Sequence, residues 1–244
     1  MKCVINQPNY IPWRGYFHQI QKADVFVFYD DVQYDKHGWR NRNRIKTSNG
    51  PIWLTIPVMK KGAVKNHTPI KEIVIDRSRD WSRKHWNAIE QAYGKAPCFD
   101  IYASKLKDIY DRQYDKLADF TIELTILIAG ILGISGTKFV RSSLLTASGT
   151  KTNRLLDLLR QLKATHYITG PAAKSYLDEP KLTDAGISTE YMVYDYPTYP
   201  QLYPPYEPQV SVLDLLFMTG PESAKYIWQN MNSPTGIGLR RFNM

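Results

Sequence analysis

The start of the chain alternates between two hydrophobic periodicities, and this alternation restricts the fold more than any other feature. KCVIN (residues 2–6) is typical of a buried strand, GYFHQIQKAD (15–24) has helical spacing, and VFVFYD (25–30) is typical of a second strand. GWRNRNRIK (38–46) and IWLTIPV (52–58) predict two further strands. A strand, a helix and a strand in succession are typical of an α/β sheet.

The rest of the chain predicts that the same sheet is completed after a helical block. Hydrophobic spacing is mostly helical at about residues 80–135, whereas THYITG (165–170) and ISTEYMVYDY (187–196) return to strand patterns. We therefore expect an α/β fold whose mostly parallel sheet is built from the N- and C-terminal parts. Residues 1–244 would form a single domain, with the helical block as an insertion.

The amino-acid composition indicates a cellular location and the charge of the binding partners. The two cysteines, Cys3 and Cys98, are too few for a disulfide framework or a thiolate metal site, so a cytoplasmic location is expected and no metal site is predicted. The most apolar stretch (124–134) is about half the length needed to cross a bilayer, so no membrane span is expected. The net charge is +9, and residues 1–70 hold eleven Lys or Arg against four Asp, a balance that favours anionic partners.

The loop after the first predicted strand is the first candidate site, because ligands of open α/β sheets bind outside the carboxyl ends of strands. Gln7 and Asn9 supply amide groups there, and Tyr16 begins a helix whose N-terminal amides suit an anion. His18 on the same helix is a candidate general base. The alternative is a rigid turn whose aromatic residues only pack, with His18 in the core or on the helix surface.

Two other loops also follow predicted strands. Asp30 and Asp31 point in different directions from an extended chain, so at most one faces a site, where it could bind Mg²⁺, orient a hydroxyl or act as a general base. Capping of turns, or pairing with nearby arginines, is the alternative. Gly170 begins another turn that could bind an anion, although the glycine-rich fingerprints of dinucleotide and phosphate loops are absent.

WRNRNRIK (39–46) is the most unusual stretch. By strand alternation, one face carries four cations with neighbours roughly 6.5 to 7 Å apart: Arg40, Arg42, Arg44 and Lys46. Like charges at this spacing repel unless an anion or protein carboxylates lie against them. The other face is also polar, through Asn41 and Asn43. These residues predict either a platform for a phosphate or carboxylate substrate or a solvated edge strand.

The segment 194–208, YDYPTYPQLYPPYEP, holds five prolines and five tyrosines. It is too rich in proline for a regular element, and its tyrosines are costly to leave in water, so we expect an ordered loop packed on the body of the protein. Tyr199 and Gln201 are predicted to form a wall of the substrate cleft, with the Gln201 amide contacting substrate. The alternative is a strap that packs over a remote face.

Several motifs together are specific to one family. QPNYIPWRGYFHQIQKADVFVFYDDVQYDKHGWRNRNRIK, followed by WLTIPV, YITGPAAKSYLDE, YPQ and SVLDLLFMTGPES, resembles the WbqC-like protein family. The resemblance implies a bacterial protein encoded among genes for surface polysaccharides such as O-antigen, and among other sugar-modification genes. In that setting activated donors are anionic, which favours the substrate platform over the solvated edge strand.

Together, the residues and the resemblance predict a cytoplasmic group transferase that moves an acyl, aminoacyl or nucleotidyl group. It would use an activated anionic donor to modify a sugar or related small metabolite in surface-polysaccharide or natural-product biosynthesis. The alternative is a nucleic-acid-binding module without catalysis, in which aromatic residues stack bases beside the basic residues. The sequence identifies no cofactor and does not rank His18 and Asp30 as general base.

Overall fold

The computed structural model describes residues 1–59 and 67–228. Five of the strands within these ranges form a parallel sheet, and the other two form an antiparallel hairpin. The strands are β1 (Lys2–Asn6), β2 (Val25–Phe28), β3 (Arg42–Thr47), β4 (Gly50–Thr55), β5 (Lys138–Arg141), β6 (His166–Thr169) and β7 (Ser188–Tyr191).

The helices lie in three groups along the chain. One helix follows the first strand, three form the predicted helical block, and three belong to the C-terminal part. They are α1 (Arg14–Lys22), α2 (Trp81–Tyr93), α3 (Phe99–Asp111), α4 (Leu117–Ile131), α5 (Lys151–Gln161), α6 (Glu179–Asp184) and α7 (Val212–Thr219).

The strand order across the parallel sheet is β5-β2-β1-β6-β7. The chain starts at the centre, runs outward through β2 to β5, and then returns to the other side of β1 with β6. The predicted α/β class, with a sheet built from both ends of the chain, is therefore confirmed. Since the order reverses beside β1, the loops after β1 and β6 border a crevice at the carboxyl edge of the sheet, where ligands of such folds bind.

Alternation along β1 explains the two hydrophobic cores. Val4 faces a large cluster that includes α1 and the helical block. Cys3 and Ile5 face the opposite side, where Leu158 and Leu159 of α5 cover the sheet. A central strand buried on both faces is what a parallel sheet requires.

The most apolar stretch of the sequence becomes a buried helix, as predicted. In α4, Leu124 and Ile128 are at most 1% exposed, and the helix packs in the large core. Among the described residues, no helix combines the length and the apolar character that crossing a bilayer would need.

The expectation of a single continuous sheet is wrong for the strands predicted at 38–46 and 52–58. They form the separate β3–β4 hairpin, in which Thr47 pairs with Gly50 across a two-residue turn. So short a connection permits only antiparallel pairing, and no crossover is available to insert these strands into a parallel sheet. Gly50 has a φ of +96°, which suits glycine at such a turn.

Candidate functional site

The loop after β1 and the chain around β3 together border a pocket at the carboxyl edge of the sheet. Its volume is about 380 Å³, within the usual range for small-molecule sites. Trp13 and Trp39 are 37% and 44% exposed there, unusually high for tryptophan. The pocket, called here the tryptophan pocket, is lined by Asn9, Pro12, Trp13, Trp39, Asn43, Gln209 and Val210.

The loop that carries Asn9 and Trp13 is fixed from below. Asn43 Nδ2 donates to the carbonyl oxygens of Tyr10 and Ile11 at 3.1 and 2.8 Å, and the Tyr10 amide donates to the Trp39 carbonyl at 3.0 Å. Ile11 has a φ of +36°, a strained conformation for a β-branched residue. A strained backbone with this many ties is typical of a preorganised binding loop.

A buried polar relay connects the same loop to the helical block. The Tyr10 hydroxyl lies 2.9 Å from His85 Nδ1 and 2.7 Å from the Tyr110 hydroxyl. Tyr10, His85 and Tyr110 are at most 7% exposed. Burial lowers the pKa of His85 to about 4, so this imidazole is uncharged at neutral pH.

The predicted basic residues lie beside the pocket, although only part of the stretch is a strand. Arg40 precedes β3 and donates to Asn9 Oδ1, and burial lowers its pKa. Arg44 Nη2 donates to Gln209 Oε1 at 2.9 Å. Two arginines thus hold two of the three side-chain amides that line the pocket, Asn9 and Gln209.

Three guanidinium nitrogens in this region have no partner within the described residues. They are the buried Nε atoms of Arg40, Arg42 and Arg44. The Arg42 guanidinium lies 4.6 Å from the centre of the Trp53 ring and Arg44 lies 5.7 Å from it, within cation–π range. The repulsion expected from the sequence is only partly offset, since the nearest Glu207 oxygen is 3.8 Å from Arg44.

The asparagines on the face opposite the arginines hold backbone carbonyls, and Asn43 also lines the tryptophan pocket. Asn41 Nδ2 donates to the Ile56 carbonyl at 2.8 Å, while Asn43 holds the loop after β1. Both asparagines are at most 6% exposed. Lys46 is also buried and bonds to Gln201 Oε1 at 2.7 Å, so it does not continue the row of partly buried arginines.

Gln7, Tyr16 and Gly170 lie at the crevice between β1 and β6. The Tyr16 hydroxyl donates to the Gln7 carbonyl at 2.9 Å. A Cβ on Gly170 would lie 3.4 Å from the Tyr194 hydroxyl, which itself accepts a 2.6 Å hydrogen bond from Gln19. These contacts fix the backbone around the crevice. They also place the segment 194–208, called here the aromatic segment, against it.

Asp30 and Asp31 are joined to the loop after β5. Asp30 is fully buried, and its carboxylate accepts from Arg141 Nε at 2.6 Å and from the Ser143 amide and hydroxyl at 3.0 Å each. Asp31 pairs with Arg154 Nη2 at 2.5 Å. Each aspartate therefore gives one oxygen to a distant arginine rather than to an arginine nearby in sequence, and Ser142 or Ser143 donates to the other oxygen.

His18 lines a second and larger cavity of about 980 Å³, called here the histidine cleft. Its Nδ1 lies 3.0 Å from the Tyr196 hydroxyl. Burial and the nearby Lys22 lower the pKa of His18 to about 4, while Glu190 opposes that shift. The walls of the cleft include His18, Gln21, Lys22, Glu190, Met192, Asp195, Tyr196, Lys225 and Trp228.

The aromatic segment packs on the body of the protein, as predicted. Tyr199 is buried. Three other tyrosine hydroxyls form hydrogen bonds with side chains of α1: Tyr194 with Gln19, Tyr196 with His18, and Tyr206 with Arg14. The Gln201 amide bonds to Lys46, Asp214 and the Glu207 backbone. A substrate contact by Gln201 stays a prediction, and this amide already has protein partners on both its oxygen and its nitrogen.

The structure brings together some predicted site residues and separates others. Asn9 and Asn43 share the tryptophan pocket with Arg40 and Arg44 beside it, whereas His18 and Asp30 have no hydrogen-bonding partner in common. Trp13 and Trp39 were not among the site residues predicted from the sequence. No sequence signal pointed to Gln209, which lies 200 residues from Asn9 and reaches the pocket only through folding.

Gly15 determines where Trp13 lies. A Cβ at position 15 would come within 2.3 Å of the indole, so Gly15→Ala is expected to displace Trp13 and lower the free energy of unfolding by about 1–2 kcal/mol. Urea denaturation followed by tryptophan fluorescence measures both effects. Gly130→Ala is the matched control, because it lies in a helix with nothing within 4 Å of the new Cβ and should stabilise. Equal stabilisation by both variants would contradict the prediction.

The fold and the site define an α/β protein with an aromatic, amide-lined pocket at the carboxyl edge of its parallel sheet. The chain belongs to the WbqC-like protein family, whose model matches residues 7–226. The chain is 44% identical to the uncharacterized protein Rv1507c of Mycobacterium tuberculosis (strain ATCC 25618 / H37Rv) over 228 residues. The aligned region covers 93% of this chain and 97% of that protein. No solved structure matches the chain.

Proposed function

We propose that this protein is a group transferase that binds an activated, anionic donor in the tryptophan pocket and modifies a sugar or related small metabolite. The observation that carries the proposal is the combination of two exposed indoles with arginines whose Nε atoms have no partner within the described residues. The acyl, aminoacyl or nucleotidyl nature of the group is part of the proposal, as are a cytoplasmic location and a role in surface-polysaccharide or natural-product biosynthesis.

The chemistry of the tryptophan pocket fits a donor with a planar ring and an anionic group. Trp13 and Trp39 offer aromatic surface for a planar ring such as a nucleobase, and none of the described residues that line the pocket carries a carboxylate. Arg40 and Arg44 lie directly behind the lining amides, and a guanidinium binds phosphate or carboxylate in a fixed geometry. Anionic ligands are therefore favoured over neutral or cationic ones in this pocket.

Of the two predicted general bases, the geometry favours His18. The Asp30 carboxylate accepts hydrogen bonds on both oxygens and is fully buried. His18 bonds through Nδ1, and Nε2 has no partner among the described residues. Because the Trp13 ring lies 6.0 Å from that of Tyr196, the tryptophan pocket and the histidine cleft share a wall.

Thermal-shift screening against nucleotides, nucleotide sugars and acyl carriers tests the proposal. A donor at one hundred times its dissociation constant stabilises the native state by about 2.7 kcal/mol, a clear rise in melting temperature. Trp39→Ala should abolish the rise. Tyr176→Ala, which removes another exposed aromatic side chain outside the tryptophan pocket, should leave it intact. If no anionic metabolite stabilises the protein, the donor site is wrong.

Nucleic-acid binding stays the second candidate because Trp53, an exposed aromatic residue outside the pocket, lies beside Trp39. The Trp39 and Trp53 rings are 5.5 Å apart, Trp53 is 48% exposed, and Arg42 and Arg44 lie against it. Stacking residues beside cations are typical of single-strand binding surfaces. Trp53 does not line the pocket, so Trp53→Ala should weaken binding of mixed oligonucleotides at about 150 mM salt without changing the donor-induced thermal shift.

A further inference from the structure

We propose that the histidine cleft is the acceptor site, and that it takes an uncharged, polyhydroxylated compound whose nucleophilic hydroxyl is oriented by His18 Nε2. The assignment rests on the proposed function, since an acceptor has a meaning only in a transfer reaction. Beyond the proposed function, the assignment names the class of substrate that the histidine cleft binds and the atom, His18 Nε2, that faces the nucleophilic hydroxyl.

The charges around the histidine cleft are balanced. Lys22 and Lys225 contribute two cations, and Glu190 and Asp195 contribute two anions. Lys22 contacts Glu190 and Lys225 contacts Glu222, so both cations are paired and little positive field remains to attract an anionic ligand. The tryptophan pocket differs, because arginines lie behind it and its lining, over the part of the chain that the structure describes, has no carboxylate. The two cavities therefore suit substrates of different charge.

The walls of the cleft combine apolar surface with hydrogen-bonding groups. Tyr196, Trp228 and Met192 supply aromatic and aliphatic surface, and Gln21 and Asp195 supply polar atoms. Asp195 is exposed and forms no hydrogen bond or ion pair within residues 1–59 and 67–228. A free carboxylate oxygen is an acceptor for hydroxyl groups, and apolar walls with few polar groups are typical of small-molecule sites.

His18 has the geometry of a positioning and proton-accepting group. Its Nδ1 is held by the Tyr196 hydroxyl at 3.0 Å, which fixes the ring, and the ring remains uncharged at neutral pH. When Nδ1–H donates to the Tyr196 oxygen, the lone pair of Nε2 is free to accept a proton from an acceptor hydroxyl. As the acceptor oxygen bonds to the transferred group, its proton moves to Nε2, and the donor's leaving group departs with the electron pair of the broken bond.

The contact between Trp13 and Tyr196 places the two proposed substrates on either side of one aromatic wall. The Trp13 ring also meets Tyr194, with ring centres 4.9 Å apart. Tyr194 and Tyr196 belong to the aromatic segment, so the packing of this segment sets the distance between the two cavities. The segment is thereby assigned a role in joining the two halves of the active site.

Saturation-transfer NMR on the full chain tests the substrate class with three matched probes: methyl α-glucoside, glucosamine and glucuronate. Methyl glucoside is expected to bind, and the charged sugars glucosamine and glucuronate are each expected to bind at least fivefold more weakly. Asp195→Asn and Trp228→Leu should each weaken methyl glucoside binding at least fivefold, whereas Trp39→Ala should not change it. Preferential binding of glucuronate, or loss of methyl glucoside binding in Trp39→Ala alone, overturns the assignment.

Nitrogen-15 NMR of the histidine rings tests the role of His18 separately. We expect the Nδ1-protonated tautomer at neutral pH, with the Nε2 signal shifting when methyl glucoside is added. His18→Asn retains a polar group toward Tyr196 but removes Nε2, and should abolish transfer while the tryptophan pocket still gives its donor-induced thermal shift. If the ring is protonated at Nε2 and its signals do not shift when methyl glucoside is added, the proposed role of His18 as proton acceptor is wrong. Donor binding without sugar binding overturns only the acceptor site, and sugar binding without any donor overturns the proposed transferase.

Discussion

Asp30→Ala is expected to lower the free energy of unfolding by about 3 kcal/mol, because it removes one partner of a buried ion pair. The carboxylate is fully buried and joins the end of β2 to Arg141 and Ser143 at the end of β5. Arg141 is 29% exposed and retains Asp119, so the loss should lie at the low end of the range for such pairs. Urea denaturation measures it.

Two further variants make the Asp30 result interpretable. Asp178→Ala breaks the exposed pair with Lys181, in which the carboxylate side chain is 42% exposed, and should cost less than about 1 kcal/mol. Asp30→Asn keeps the shape of the side chain and removes its charge. If Asp30→Asn leaves stability unchanged but eliminates transfer, Asp30 is catalytic and the structural role assigned to it is wrong.

Stability is expected to fall as the pH drops from about 6.5 to 4, partly because of His85. In the unfolded chain this histidine takes up a proton near its ordinary pKa of 6.5, whereas burial lowers its pKa to about 4 in the folded protein. The unfolded state therefore binds more protons over this window, and stability rises with pH across it. The difference in pKa corresponds to about 3 kcal/mol for this one residue.

His85→Asn isolates that contribution. Asparagine can still meet the Tyr10 hydroxyl but does not titrate, so the variant should lose less stability than the wild type between pH 6.5 and 4. His67→Asn is the control, because His67 is exposed and has a φ of +52°, which asparagine tolerates. Identical pH dependence in wild type and His85→Asn, measured by denaturation at each pH, would show that the buried relay does not resist protonation.

Local sequence determined the elements and the edge of the sheet where the site lies. The short apolar runs in residues 2–6 and 25–28, and the helical spacing of α2, are local patterns that need no distant partner. The same patterns predicted that Asn9 follows a strand at the carboxyl edge. The family was also predicted from the chain alone, since its motifs are contiguous stretches.

Tertiary structure alone decided which residues meet. The basic stretch is polar on both faces in the sequence, but only the fold shows that Asn43 faces inward to hold the Tyr10 and Ile11 carbonyls, while Arg42 and Arg44 lie against Trp53. Likewise, Asp30 resembles a catalytic residue until its partner Arg141, 111 positions away, is known. Contacts over such separations depend on the order in which the strands pair across the sheet, and that order follows from the packing of the whole chain rather than from any local pattern.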